Sequence, residues 1–318
     1  MNIFQEMRRN GHFETLFPYL FCSAPVLDYK RERIVTRDND FLDLDWVQKK
    51  SERLVILSHG LESSSSAKYV RSTGFNCLED GLDVLAWNYR GCSGEMNKSI
   101  KYYHSGATDD LDDVIKHVVK NYPYTEIYLV GFSLGGNLVL KYMGENSSAL
   151  HSNIKLAVAV SAPVCLKTSS HKLKKGFNKV YTRNFLTTLK RKVLAKEKKL
   201  LDSGFNLKKV KQAADLPQFD DCFTGPVHGF LNADDYYEKC SSKKFLKEIL
   251  KPTLIINAKN DPFLSPECFP YEEVKNNKNI VFIAAERGGH VGFKNFIWEK
   301  SKGIETIITT FIKHSNPL

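Results

Sequence analysis

The sequence lacks most of the short signatures of metal-binding, nucleotide-binding and membrane-spanning proteins. It contains no GxGxxG, P-loop or HExxH motif, so neither a nucleotide cofactor nor a metal is expected. The seven cysteines include no CxxC pair, which disfavours a disulfide framework or a zinc site and fits a reducing compartment. No run approaches the ~18 apolar residues of a spanning helix, and the N-terminus lacks the regions of a signal peptide. We therefore expect a soluble cytoplasmic protein.

The composition provides a sizeable core and an excess of positive charge. With 42% hydrophobic and 12% aromatic residues, the 318-residue chain does not fit the disordered, collagen or coiled-coil classes. Its net charge of +10 raises the question of a nucleic-acid or anionic-membrane partner. The charge is local, because residues 166–215 hold 15 Lys and Arg against three acids while the other 268 residues sum to −2. The pattern indicates a near-neutral body with one basic insert.

Strand-like and helix-like segments alternate along most of the chain. Strands are predicted at 31–37, 41–48, 54–58, 83–89, 126–132, 154–163, 253–258 and 280–285, the first two joined by a turn at Asn39 and Asp40. Helices are predicted at 66–79, 109–121, 134–144, 266–275 and 301–314. This alternation predicts an α/β fold with a mostly parallel eight-stranded sheet flanked by helices. We expect a core of residues 1–163 and 250–318, with an N-terminal arm over 1–30, and a helical, basic cap over 164–249.

The strongest chemical motif is the GxSxG sequence from Gly131 to Gly135. An apolar strand leads into it and a helix leads out of it, as a nucleophile elbow requires. The turn is so tight that side chains at the two glycines would collide with backbone, and Ser133 is expected to be strained. The alternative, an ordinary glycine-rich turn, is disfavoured by this context. Ser133 is therefore the predicted nucleophile.

A serine hydroxyl needs a base, and that base needs an orienting acid. Asp261 follows the strand 253–258 and His290 follows the strand 280–285, at the carboxyl ends where open α/β sheets place their sites. The chain order serine, acid, histidine matches the nucleophile-elbow fold. We predict His290 as general base and acid, and Asp261 as the residue that orients it. The weaker alternatives are His59, His104 and His228 as base, and Asp220, Asp221, Asp234 and Asp235 as acid.

Two backbone N–H groups are expected to stabilise the oxyanion of a tetrahedral intermediate. The first belongs to Leu134, directly after the nucleophile. The second is assigned to Leu61, in the loop after the strand 54–58, where Gly60 permits close approach of the backbone.

Two further features have both a chemical and a structural interpretation. Cys92 is a conceivable second nucleophile, but a buried structural thiol is the favoured interpretation. Four aspartates follow the predicted N-cap Thr108 at the start of a helix, where interaction with the helix dipole is favoured over a metal or acid–base site. The aspartates are Asp109, Asp110, Asp112 and Asp113.

Eight short motifs together resemble one family. They are GHFETLFP (11–18), HGLE (59–62), YRGCSGE (89–95), YHSGATDD (103–110), GFSLGGN (131–137), FDD (219–221), AKNDPF (258–263) and GGHVGF (288–293). With these motifs the chain resembles the YheT-like branch of the α/β-hydrolase superfamily over nearly its whole length. The resemblance implies Ser133, Asp261 and His290 as the charge-relay triad. It also implies hydrolysis of carboxylic esters, with short-chain or acylglycerol-like substrates.

The favoured hypothesis is a serine carboxylic-ester hydrolase that acts through an acyl-enzyme on a small ester or lipid. The alternatives are a catalytically silent binding protein of the same fold, a non-hydrolytic acyl transferase, and binding of nucleic acid or an anionic surface by the basic cap. No specific nucleic acid is expected, whereas peripheral contact with an anionic membrane stays open. One cap helix places Phe185, Leu189, Val193 and Leu200 on one face. The rest, favoured as a solvated surface, carries Lys190, Arg191, Lys192, Lys196, Lys198 and Lys199.

Overall fold

A computed structural model of the chain describes residues 10–293 and 303–314. One sheet contains β1 (Lys30–Val35), β2 (Phe41–Val47), β3 (Arg53–Ser58), β4 (Asp83–Asn88), β5 (Glu126–Phe132), β6 (Ile154–Val160), β7 (Thr253–Ala258) and β8 (Ile280–Ala285). The strand order is β1-β2-β4-β3-β5-β6-β7-β8. The pairs β1–β2 and β2–β4 are antiparallel, and every other pair is parallel. The predicted mostly parallel, eight-stranded α/β sheet is confirmed.

Helices precede β1, follow β8 and lie in every connection from β3 onward. They are α1 (Gly11–Phe21), α2 (Lys68–Glu79), α3 (Thr108–Asn121), α4 (Leu134–Glu145), α5 (Leu166–Leu173), α6 (Asn178–Leu194), α7 (Glu197–Asp202), α8 (Leu207–Gln212), α9 (Leu216–Phe219), α10 (Gly225–Val227), α11 (Ala233–Cys240), α12 (Tyr271–Lys275) and α13 (Ile304–His314). A π-helical turn covers Asp220–Thr224, and 3₁₀-helices cover Ser242–Glu248 and Pro266–Cys268. Of the helices described, none is both long and apolar enough to cross a membrane.

Some helix boundaries differ from the prediction. Thr108 is the first residue of α3, and Ala107 takes the cap position, because the Thr108 hydroxyl donates to the Gly106 carbonyl instead of capping the helix. The predicted helix over 266–275 divides into a 3₁₀ turn and the short α12 around Pro270, since a residue before proline avoids the helical region. The predicted start of the last helix, at residues 301 and 302, lies outside the described residues.

The sheet is buried on both faces, as its parallel strands require. In β3, Leu54 and Ile56 join the apolar cluster on one face, whereas Val55 and Leu57 join the cluster on the other. This alternation follows from the two-residue period of a strand. The first cluster includes residues of α3 and α4, and the second includes residues of α2 and α13. The carboxyl ends of the central strands are thereby left free to hold a site.

Between β6 and β7 the described chain is helical and forms a separate apolar cluster. Val193 and Leu200 are buried there, with Phe185 and Leu189 packed against the cluster, as the helical period predicts. Lys192 and Lys196 depart from the predicted solvated surface. Their ammonium groups turn inward, where the first lies 2.8 Å from a carboxylate oxygen of Glu62 and the second 2.6 Å from Asn97 Oδ1. These two residues were assigned wrongly, because periodicity does not show what lies opposite a helix face.

Candidate active site

The turn between β5 and α4 has the geometry of a nucleophile elbow. Ser133 adopts φ 54° and ψ −120°, a strained conformation for a residue other than glycine. Its N–H donates to the Val160 carbonyl at 2.8 Å. A Cβ on Gly131 would lie 2.1 Å from the Gly135 carbonyl oxygen, and one on Gly135 would lie 2.3 Å from the Ser58 carbonyl oxygen. Only glycine fits these two positions, which lets the turn present the serine hydroxyl at the sheet edge.

Three side chains at this edge form one hydrogen-bonded chain. His290 Nε2 lies 2.8 Å from Ser133 Oγ, and His290 Nδ1 lies 2.9 Å from Asp261 Oδ2. The Asp261 side chain is fully buried, and its second oxygen accepts the Phe263 N–H at 2.8 Å. The Phe263 ring stacks on the imidazole with centroids 4.1 Å apart. The structure thus brings together the three residues predicted as nucleophile, base and acid. Hydrogen bonds at both ring nitrogens and the stacked Phe263 ring fix the orientation of the imidazole.

The N-terminal helix α1 supports the loop that carries His290. Thr15 Oγ1 accepts the His290 N–H at 2.8 Å. The buried Glu14 carboxylate accepts both the Gly288 N–H at 2.9 Å and the Asn260 side-chain amide at 2.7 Å. No role was predicted for Glu14, Thr15 or Asn260, although the first two lie in the motif 11–18 and the third in the motif 258–263. The arm therefore helps to position the predicted general base.

The two residues predicted as oxyanion donors, Leu61 and Leu134, line the same cavity as the serine. Leu134 is the first residue of α4 and directly follows Ser133, so its N–H belongs to the free first turn of the helix. A Cβ on Gly60 would lie 3.3 Å from the Ser133 Cβ, which shows how closely this loop approaches the serine. Within the described residues no protein acceptor binds the N–H of Leu61 or Leu134. The role of both N–H groups as oxyanion donors stays a prediction.

The loop that carries Leu61 is fixed on both sides of that residue. The Gly60 N–H donates to the Tyr69 hydroxyl at 2.9 Å, and the Glu62 N–H donates to the Tyr103 hydroxyl at 2.8 Å. That Tyr103 hydroxyl in turn donates to the Glu62 carboxylate at 2.7 Å, which also binds Lys192 of the cap. Sequence reasoning did not find Glu62 or Lys192 as supports of this loop. A rigid loop of this kind pre-organises an N–H donor for developing negative charge.

The comparisons with known proteins agree with this geometry. The profile of the α/β hydrolase fold family matches residues 53–293. The chain is 35% identical over 293 residues to YheT of Escherichia coli (strain K12), covering 89% of this chain and 84% of that protein. The chain belongs to the α/β-hydrolase fold family. The resemblance to YheT-like proteins, drawn from the motifs, is confirmed.

A second relative of this α/β hydrolase is phospholipase ABHD3 of Bos taurus, 28% identical over 96% of this chain and 77% of that protein. The solved structure of esterase Pf2001 from Pyrococcus furiosus has a TM-score of 0.60 and 21% identity. It covers 92% of this chain and 97% of that chain. At this identity the structural likeness shows the fold alone.

The other histidines of the hydrolase do not reach the serine. His59 is fully buried, and its two ring nitrogens bond backbone groups at 2.8 and 3.2 Å. Burial lowers the pKa of His59 to about 3, so this ring is neutral and structural. His104 and His228 contact each other with ring centroids 4.5 Å apart, and burial lowers the pKa of both. Among the described histidines, His290 holds the ring nitrogen that lies within hydrogen-bonding distance of the Ser133 hydroxyl.

Cys92 sits beside the loop that Lys192 fixes. Its Sγ lies 3.2 Å from the Lys192 ammonium. Burial raises the pKa of the thiol to about 12, which leaves it protonated and unreactive at neutral pH. This environment favours the structural interpretation of Cys92.

The four aspartates at the start of α3 form ion pairs with two arginines. Asp109, Asp112 and Asp113 surround the Arg37 guanidinium at 2.7 to 2.8 Å. Asp110 binds the guanidinium of Arg90 at 2.6 Å. The helix-dipole interpretation was therefore incomplete, because the carboxylates form ion pairs across elements. Among residues 10–293 and 303–314, no group of three or more potential ligands could hold a metal ion.

A cavity of about 890 Å³ lies above the serine, between the sheet edge and the cap. Ser133, His290, Leu61 and Leu134 all line it. Its apolar wall includes Leu16 of α1 and, from the helices of the cap, Leu173, Val180, Phe185, Leu189 and Leu216. Val180 is 57% exposed and Tyr19, which also lines the cavity, is 70% exposed, so the cavity opens to solvent between α1 and α6. The four competing acids lie in the cap, and of these Asp220 lines the cavity.

Proposed function

We propose that this α/β hydrolase is a serine carboxylic-ester hydrolase that works through an acyl-enzyme. The observation that carries the proposal is the chain of hydrogen bonds from Ser133 through His290 to Asp261, at the base of a ligand-sized cavity. Such a chain activates a hydroxyl that would otherwise be a poor nucleophile. Membership of the family and the relative named phospholipase support an ester or lipid substrate.

In the first step, Ser133 Oγ attacks the ester carbonyl carbon while His290 Nε2 takes the hydroxyl proton. The carbonyl oxygen becomes an oxyanion, for which the N–H groups of Leu61 and Leu134 are the donors. The buried Asp261 carboxylate stabilises the imidazolium and keeps Nδ1 protonated. The bond between carbonyl carbon and alkoxy oxygen then breaks, and His290 transfers its proton to the departing alcohol.

In the second step, water replaces the alcohol. His290 takes a proton from water, whose oxygen attacks the acyl carbon and forms a second tetrahedral intermediate. This intermediate collapses, the proton returns to Ser133 Oγ, and the carboxylic acid is released. The same two N–H donors serve both intermediates, so no additional group is required.

The walls of the cavity favour esters with an apolar acyl group. Leu173, Phe185 and Leu189 of the cap provide apolar surface above the serine. A volume of about 890 Å³ accommodates a drug-sized molecule or a medium-length acyl chain. We therefore propose short- to medium-chain esters or acylglycerol-like lipids as substrates.

The test is the Ser133→Ala variant. Its control is Ser152→Ala, at an exposed serine just before β6, on the edge of the sheet opposite to Ser133. We expect Ser133→Ala to lose at least about a thousandfold in turnover of p-nitrophenyl butyrate, because the acyl-enzyme cannot form. Ser152→Ala should retain wild-type activity. A fluorophosphonate probe should label the wild-type protein on the peptide that contains Ser133. An unlabelled protein without turnover would favour the silent binding protein, and an active Ser133→Ala would refute the mechanism.

A second role, contact with an anionic lipid surface, is favoured by exposed residues in and just before α6, the helix whose Val180 lines the cavity. Lys175, Lys179 and Arg183 are exposed, and within the described residues no carboxylate lies within 4 Å of their charged groups. Beside them, Phe177 and Val180 are 51% and 57% exposed. Basic side chains interleaved with apolar ones suit an anionic membrane surface better than a nucleic-acid backbone. We propose that this surface presents the cavity to lipid.

A further inference from the structure

One acidic side chain in the wall of the cavity has no part in the proposed mechanism. Asp220 begins the π-helical turn Asp220–Thr224 in the cap, and it lines the same cavity as Ser133. Turns of this type are rare and frequently occur at functional sites. Asp220 is partly buried in the cavity wall, whereas the adjacent Asp221 is exposed and accepts the Ala233 N–H at 3.2 Å. Two neighbouring aspartates thus face very different surroundings.

The Asp220 carboxyl is held by hydroxyl groups rather than by a cation. The Tyr237 hydroxyl donates to Asp220 Oδ2 at 2.6 Å. Within the described chain, Asp220 forms no salt bridge with any lysine, arginine or histidine, in contrast to Asp215 and Asp234 of the same cap. Removing a carboxyl even partly from water without a cation costs free energy, and such groups cluster at sites that bind ligands.

Polar side chains surround Asp220 in the wall of the cavity. Thr224, Tyr236 and Tyr237 line this part of the wall, and the Tyr236 hydroxyl donates to Ser105 Oγ at 2.9 Å. An apolar acyl chain gains nothing from these groups, because its methylenes would displace water from them without offering hydrogen bonds. In an ester of an apolar acid, the part that does offer hydrogen bonds is a hydroxylated alcohol.

We propose that Asp220, held by Tyr237, forms a polar subsite that accepts a hydrogen bond from a free hydroxyl group on the alcohol part of the ester. The class of substrate is therefore an ester of a polyol rather than of a simple alcohol. This inference rests on the proposed esterase function and assigns the specificity of the same cavity to a residue of the cap.

The experiment compares two esters with one acyl chain, 1-octanoylglycerol and methyl octanoate. The variants are Asp220→Leu and the milder Asp220→Asn, with Asp221→Asn as the matched control. We expect Asp220→Leu to lower kcat/KM for the glycerol ester by about tenfold or more, and Asp220→Asn by less, because the amide oxygen still accepts. The methyl ester should be hydrolysed at the wild-type rate by both variants. Asp221→Asn should match the wild-type protein on both substrates.

A kcat/KM ratio between the two esters that is unchanged in both Asp220 variants would overturn the subsite. An equal loss of kcat/KM on both esters would also overturn the subsite, because it would indicate that Asp220 has a structural role only. Binding of 1-octanoylglycerol to Ser133→Ala, with and without Asp220→Leu, is measured by calorimetry and tests the subsite without turnover; we expect Asp220→Leu to weaken this binding about tenfold or more, and unchanged binding would overturn the subsite. If the wild-type protein binds the glycerol ester through Asp220 yet hydrolyses neither ester, the proposed function fails while the subsite stands.

Discussion

The raised pKa of the Asp220 carboxyl leads to a prediction about protein stability that does not depend on catalysis. Burial raises its pKa to about 6 from the ordinary 3.8, against the opposing hydrogen bonds of Thr224 and Tyr237, and the nearby Asp215 adds to the rise. A group whose pKa is higher in the folded than in the unfolded state destabilises the fold once it ionises. Replacing Asp220 with asparagine keeps the size and an acceptor for Tyr237, but removes the ionisation.

The magnitude follows from the two pKa values. A pKa of about 6 in place of 3.8 corresponds to about 3 kcal/mol between the two protonation states. Below pH 3.8 the carboxyl is protonated in both folded and unfolded protein, so its ionisation costs nothing. As the pH rises through 6, the folded wild-type protein loses up to about 3 kcal/mol relative to that limit. Asp220→Asn should therefore be more stable than the wild-type protein at pH 8, with an advantage that shrinks towards pH 4.

The assay is urea unfolding at pH 4.5 and pH 8, followed by the fluorescence of the three tryptophans. Wild-type protein, Asp220→Asn and the exposed control Asp221→Asn are measured side by side. We expect a gain in the unfolding free energy for Asp220→Asn that is larger at pH 8, and no such trend for Asp221→Asn. An equal gain in unfolding free energy at both pH values would refute the raised pKa of the Asp220 carboxyl. A gain in stability together with a lower kcat/KM for the glycerol ester would be typical of a residue that is retained for function.

Two further predictions concern the arm and the cap surface. Thr15→Val removes the acceptor for the His290 N–H, so kcat should fall about tenfold with KM retained, while Thr187→Val on the exposed side of α6 should have no effect. A change in KM alone would contradict this role of the arm. Removing Lys175, Lys179 and Arg183 together should weaken co-sedimentation with vesicles of phosphatidylcholine and phosphatidylglycerol by about 1 kcal/mol per cation. Equal wild-type binding to pure phosphatidylcholine vesicles, or preferential retention of the protein by DNA, would contradict the anionic-lipid surface.

The sheet and the residues at its carboxyl edge could be predicted because their signals are local. The elbow around Ser133 is one strand, one tight turn and one helix within a few residues. Asp261 and His290 each follow a buried strand by a short distance, and parallel strands bring such positions to the same edge. The order of these pieces along the chain was the basis for predicting His290 among nine histidines, and the structure brings its ring to Ser133.

The supports of the site could not be predicted, because they join distant parts of the chain. Thr15 and His290 are separated by 275 positions, and Glu62 and Lys192 by 130. Neither pair leaves a periodic or compositional signal, since a threonine on a short helix and a lysine in a basic helix are both ordinary. Asp220 was weighed only as an alternative catalytic acid. Its partly buried position in the cavity wall depends on the packing of the cap, which helical periodicity does not define.

The basic charge of the cap is partly used inside the protein. The ammonium group of Lys172 donates to the Asp261 carbonyl at 2.9 Å, and Lys192 and Lys196 bind Glu62 and Asn97. Burial lowers the pKa of Lys196 to about 8 and also lowers that of Lys172, so these cations are costly to enclose. The partners of the three lysines lie on the loop of the predicted catalytic acid, the loop of a predicted oxyanion donor and the segment around Asn97 beneath the cap. Lys172, Lys192 and Lys196 therefore hold the cap against the candidate site. The cations that remain exposed are the ones available to attract an anionic surface.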